Sequence, residues 1–141
     1  MITTSSTSPL DRPIEHVTEW VPICQVREVP HERGVAALVQ GVQIAIFRTH
    51  DDAFFAVQQH DPFCGAMIIS RSLVGTRNGR PCVTSPMYKQ VFDLETGECL
   101  DAGDQTPVAL RTWPVRVLGH ELSIGIVASV TNDTVTGGRS R

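Results

Sequence analysis

No stretch of this chain is basic enough to follow a phosphate backbone. Its twelve Lys and Arg are outnumbered by fifteen Asp and Glu, for a formal charge of -3, so nucleic acid is not an expected partner. Long apolar runs are also missing. A membrane-spanning helix needs about 20 apolar residues in a row, and every run here is broken early by Gln, Arg, Gly or Ser. No membrane association is expected. The opening MITTSSTSPLDRP has no basic start followed by an apolar block, so it does not read as a secretory signal, and a cytoplasmic location is the expectation. Metal-type cysteine spacing is absent as well. Cys24, Cys64, Cys82 and Cys99 are scattered, with no CxxC or CxH anywhere. In a reducing compartment they read as four free thiols, mostly buried.

The motifs of common chemistries are equally lacking. GxSxG, Walker A, GxGxxG and HExxH do not occur, and no Ser or Cys has a base and an orienting acid in a recognisable local arrangement. His60 and Asp61 are adjacent, but neighbours on a strand point to opposite faces, so they are poorly placed as a dyad. His60 reads as a strand-end residue touching solvent. His16, His31, His50 and His120 fall in the leader or at expected turns. The carboxylates are spread out, with no pair set apart as acid and base. No catalytic residue is expected in this chain.

What is present is enough for one domain. The 141 residues are 41% hydrophobic, sufficient for one core and too few for two of ordinary size. Residues 1–16, rich in Ser, Thr and Pro, read as a disordered leader and residues 130–141 as a disordered tail. The domain is expected over residues 17–129.

Turn signals recur at short intervals between them, which points to an all-β domain. Residues 20–24 open it. Residues 35–40, Gly41 and 42–48 read as a hairpin, with Val42, Ile44 and Ile46 alternating against Gln43, Ala45 and Phe47. That period of two places the β-branched set on one face. Residues 53–59 form the next strand, with Phe55 and Val57 on one side. Residues 61–75 lack periodicity and read as a long loop with one helical turn near 68–73. Asn78-Gly79 is a strong hairpin turn. Residues 81–84, 90–94 and 98–100 are short strands, the last two joined by the turn Glu95-Thr96-Gly97. Residues 112–118 and 121–127 make the last hairpin. Roughly eight to ten short strands in one domain predict a sandwich or barrel.

Two segments carry a family signal: Asp61-Pro62-Phe63-Cys64-Gly65-Ala66, and Ser85-Pro86-Met87-Tyr88-Lys89-Gln90 followed by Val91-Phe92-Asp93-Leu94-Glu95-Thr96-Gly97. The first resembles the Cys-Pro-His-x-Gly-Ala loop of a Rieske domain. The second resembles its Cys-Pro-x-His-Gly loop, with the following strand and turn. The resemblance spans about residues 18–128 and implies a Rieske-like β-sandwich of short antiparallel strands with a loop-rich, cluster-binding-like subdomain. A Rieske cluster takes two Cys thiolates and two His nitrogens. The matching positions here are Asp61 and Ser85 for the thiolates, Phe63 and Tyr88 for the imidazoles. Phenylalanine has no donor atom, and hard oxygen ligands suit a soft iron–sulfur core badly. No cofactor or metal is therefore expected in this chain.

His60-Asp61-Pro62-Phe63, Ser70-Arg71-Ser72-Leu73-Val74-Gly75 and Ser85-Pro86-Met87-Tyr88-Lys89-Gln90 together resemble the small subunits of NADH-dependent assimilatory nitrite reductases. That group has a ligand-free version of these loops. Ser72 departs from its usual Gly, which relaxes a backbone requirement. The resemblance implies a non-catalytic subunit beside a large catalytic subunit carrying siroheme, a [4Fe–4S] cluster and FAD and using NADH. The alternative from a different class is a small Rieske-type ferredoxin that carries electrons. In the subunit reading, Phe63 and Tyr88 are expected to pack together over the vacated site, Pro62 and Pro86 to stiffen the loops, and Asp61 to accept backbone N–H bonds. Pro62, Phe63, Pro86, Met87, Tyr88 and Lys89 are the expected partner interface.

Overall fold

The computed structural model describes residues 17–127, where eleven strands pair antiparallel in three sheets. The first sheet has the order β1-β11-β10: β1 (Val17–Gln25), β11 (Glu121–Val127) and β10 (Val115–Leu118). The second is β2-β3-β4-β9: β2 (Arg33–Val39), β3 (Val42–Arg48), β4 (Phe54–Gln58) and β9 (Thr112–Trp113). The third is β5-β6-β7-β8: β5 (Leu73–Arg77), β6 (Arg80–Thr84), β7 (Val91–Asp93) and β8 (Cys99–Asp101). This is the all-β, Rieske-like sandwich with a loop-rich subdomain. The expected leader and the expected tail both lie outside the described residues.

Alternation along β3 explains how the sheets share a core. Ile44 and Ile46 join one buried cluster with Val39, Trp113, Leu122 and Ile124. Ala45 and Phe47 point the other way, into a second cluster with Val57, Val83, Phe92, Leu94 and Leu110. The alternating set is thus buried on both faces, where sequence alone marked one. Each fully buried Ile or Phe contributes about 1.5–3 kcal/mol relative to exposure, so β3 is the hub of the hydrophobic stabilisation. Phe55 and Val57 both belong with the second cluster, as the alternation in β4 implied.

Two departures from the sequence expectation have physical causes. Residues 73–75, expected as the end of the loop, belong instead to β5, which pairs with β6 from Leu73↔Thr84 to Arg77↔Arg80. The turn between them has Asn78 at φ 54 and Gly79 at φ 78, the left-handed pair that suits a two-residue hairpin. β5 is largely exposed, so it has no buried face to leave a pattern in its sequence. The expected strand over 112–118 is really two. Trp113 pairs with Ala56 in the second sheet, and Val115 with Ile124 in the first. Pro114 between them has no N–H to continue a ladder, while its carbonyl accepts the Gly125 N–H at 2.9 Å.

Candidate functional site

Two loops border the third sheet, one between β4 and β5 and one between β6 and β7. Residues 61–66 form the first, and an isolated bridge between His60 and Met67 closes it. Asp61 holds it from within. The residue is fully buried, and its Oδ1 accepts the N–H groups of Phe63 at 2.8 Å and Cys64 at 3.3 Å. Its backbone carbonyl accepts the Gly65 N–H at 2.8 Å, and its own N–H donates to Ala66 O at 2.8 Å. The expected carboxylate-to-backbone bonding is therefore present. Asp61 Oδ2 is buried with no hydrogen-bond partner among the described residues.

The second loop, residues 85–90, is closed differently. Ser85 is fully buried. Its Oγ donates to Gln90 Oε1 at 3.0 Å and accepts the Gln90 N–H at 3.1 Å, while its N–H donates to Gln90 O at 2.8 Å. Gln90, also buried, was not singled out in the sequence. Its signal was only its place at the end of the Ser-Pro-Met-Tyr-Lys-Gln run. Between these two necks the loop turns outward. Met87 is 55% exposed and Tyr88 60% exposed, and Lys89 has φ 63.

Phe63 and Tyr88 do not pack together. Phe63 lies against Phe92 of β7, ring centroids 6.1 Å apart at 44°, the one aromatic pair among the described residues. It is half-buried at the margin of the second core cluster. The Phe63–Phe92 contact ties the first loop to β7, and the pairing of Leu73 with Thr84 brings the start of β5 next to Ser85. Pro62 and Pro86 are half-buried, and Met87, Tyr88 and Lys89 are exposed. Met67 and Leu73, 48% and 71% exposed, also face solvent from this region and were missed.

The donor set does not fit an iron–sulfur cluster. At the four positions matched to ligands, Asp61 Oδ1 is already occupied by two N–H groups and Ser85 Oγ by Gln90. Phe63 offers no donor, and the Tyr88 side chain is mostly in solvent. Among the described residues no group of three His, Cys, Asp or Glu could hold a metal ion. The cysteines are free as expected, but only Cys82 is buried, and the other three are half-buried. Burial pushes the thiols of Cys24, Cys82 and Cys99 up from their ordinary value, away from the thiolate that metals require. His60 is exposed at a strand end, as expected.

Residues 19–126 match the family model described as a Rieske-like [2Fe-2S] domain. The nitrite reductase (NADH) small subunit of Escherichia coli K12 is 38% identical over 86 residues, which is 60% of this chain and 80% of that protein. A crystal structure described as an NADH-dependent nitrite reductase small subunit from Mycobacterium tuberculosis superposes with a TM-score of 0.72 at 38% identity, covering 78% of this chain and 96% of the other. The nitrite reductase [NAD(P)H] large subunit of Klebsiella oxytoca is 37% identical over 106 residues, 75% of this chain. The chain spans only 11% of that protein's length.

Proposed function

The chain belongs to the Rieske-like [2Fe-2S] domain family and, within it, to the NADH nitrite reductase small subunits, and from that premise we propose that it is a non-catalytic subunit of an enzyme reducing nitrite to ammonium in nitrogen assimilation. It works in the cytoplasm, with residues 17–129 as its folded domain. Its partner is the large catalytic subunit, which carries siroheme, a [4Fe–4S] cluster and FAD and takes electrons from NADH. The loops that would clasp a cluster serve as a docking surface, with Met87, Tyr88 and Lys89 at its exposed centre and Pro62, Phe63 and Pro86 as the half-buried support beneath.

The observation that carries this reading is the state of the two loops. Each is closed by hydrogen bonds from the residue that replaces a thiolate, Asp61 in one and Ser85 in the other. Both closures are made by groups of this chain itself. A ferredoxin role would require donors that these positions do not offer. Apolar and aromatic side chains with a polar handle are the usual centre of a protein interface.

The test is reconstitution. The large chain is produced with and without this protein, and nitrite-dependent oxidation of NADH is measured. Activity that depends on this chain supports the assignment, and equal activity in both preparations removes it. A purified chain with stoichiometric iron and a two-iron spectrum would restore the ferredoxin alternative.

A further inference from the structure

Lys89 sits where the Rieske pattern Cys-Pro-x-His-Gly has its glycine. The backbone there keeps the glycine-type conformation, φ 63, although a side chain with a Cβ is disfavoured in it. Lysine has no short polar group to bond locally, as Asn or Asp would in that conformation. Such a conformation persists where the surrounding structure holds it, as at the turn and bend residues Glu32, Gln40, Asp52 and Asn78, which share it. Here the Ser85–Gln90 bonds close the loop and leave the lysine side chain itself unused. Lys89 is exposed and makes no ion pair or side-chain hydrogen bond among the described residues. It is also the only lysine in the chain, every other basic residue being Arg, and it follows the only tyrosine. Both methionines beyond Met1, Met67 and Met87, are exposed on the same pair of loops. Among the described residues, four of the nine exposed large hydrophobics, Met67, Leu73, Met87 and Tyr88, lie on or next to these two loops.

We propose that the Lys89 ammonium is the charged anchor of the docking surface and pairs with a carboxylate of the large catalytic subunit. This rests on the small-subunit reading above. That partner is favoured because a chain named as a nitrite reductase large subunit contains a segment 37% identical to this one. In that relative the similar segment and the rest of the large subunit belong to one polypeptide. The chemistry also fits. A compact ammonium on a flexible stem is a point charge suited to one carboxylate. Met87 and Tyr88, its exposed neighbours along the chain, would exclude water once a partner covers them, and a pair so shielded is stronger than one in open solvent.

The binding of the cognate large subunit, purified with its cofactors, is measured for wild type, Lys89→Gly, Lys89→Arg, Lys89→Glu and Met87→Asp at two ionic strengths, with the Tm of each variant. Glycine relieves the backbone, so Lys89→Gly keeps or raises Tm. Its affinity falls at least tenfold and loses part of its salt dependence. Lys89→Arg retains most of the binding, and Lys89→Glu binds more weakly than Lys89→Gly. Wild-type affinity in Lys89→Gly, with Met87→Asp impaired, overturns the anchor and leaves the docking surface standing. Wild-type affinity in all the variants removes the docking surface and the anchor together. A large subunit that does not bind the wild-type chain defeats the small-subunit reading itself, and the anchor with it.

Discussion

Two turns of this molecule are built on one plan and set in different surroundings. In each, an aspartate leads and a glycine four residues on closes: Asp61 to Gly65, and Asp93 to Gly97. Asp93 Oδ1 accepts the N–H groups of Glu95 at 2.7 Å and Thr96 at 3.0 Å, as Asp61 Oδ1 accepts those of Phe63 and Cys64. Each aspartate carbonyl accepts the closing glycine's N–H at 2.8 Å. Gly65 and Gly97 have φ of 83 and 81. The difference lies at the second carboxylate oxygen. Asp93 Oδ2 faces the Arg80 guanidinium at 2.5 Å, an ion-pair contact rather than an aligned hydrogen bond, whereas Asp61 Oδ2 faces no protein donor. Asp61 thus plays in the first loop the role that Asp93 plays in the turn after β7. One carboxylate oxygen is enough to hold such a turn.

The strongest way to break this likeness is at the glycines. A Cβ at Gly97 would lie 2.1 Å from the Leu110 carbonyl oxygen, while one at Gly65 meets nothing within 4 Å. Gly97→Ala is expected to destabilise by about 3 kcal/mol or more, from clash and left-handed strain together. Chemical denaturation reads this directly. Next comes Phe63, which fixes the first turn to the core as Leu94 fixes the second. Phe63→Ala should lose about 2 kcal/mol, below the full core value because the ring is only half-buried, and a variant melting like wild type would contradict that anchoring. Asp93→Asn removes the charge facing Arg80, whose side chain is 46% exposed, and should lose about 2 kcal/mol. Adding Arg80→Ala to it should then have little further effect. Gly65→Ala carries only the conformational term, about 1 kcal/mol. The smallest effect belongs to Asp61→Asn, within about 1 kcal/mol of wild type, because Asn keeps the accepting oxygen and removes an uncompensated charge. A loss equal to that of Asp93→Asn would show that the two turns depend equally on their second oxygen.

β3 and β11 were legible because Ile44 and Ile46, and Leu122 and Ile124, recur with a period of two on the face that packs into the first core cluster, the stamp that burial leaves. So were the hairpin at Asn78-Gly79 and the turn ending at Gly97, whose φ values demand those residue types. β5 was not, since a mostly exposed strand carries no such stamp. The sheet change at Pro114 was hidden because both halves alternate in the same way, and only pairing partners distinguish them. At the site, the bonding of Asp61 could be read from local sequence. The partner of Phe63 could not, because Phe92 lies far along the chain and contact at that distance is decided by how the sheets stack. The tie between Ser85 and Gln90 was similarly silent, as Ser and Gln are ordinary loop residues until their side chains are seen to meet.

The crossing at Pro114 has a mechanical consequence. Trp113 and Val115 are hydrogen-bonded into different sheets through a single intervening residue, with no slack between them. Fraying of β9 therefore drags on β10, and the first two sheets open as a cooperative unit whose slowest-exchanging amides share one opening free energy.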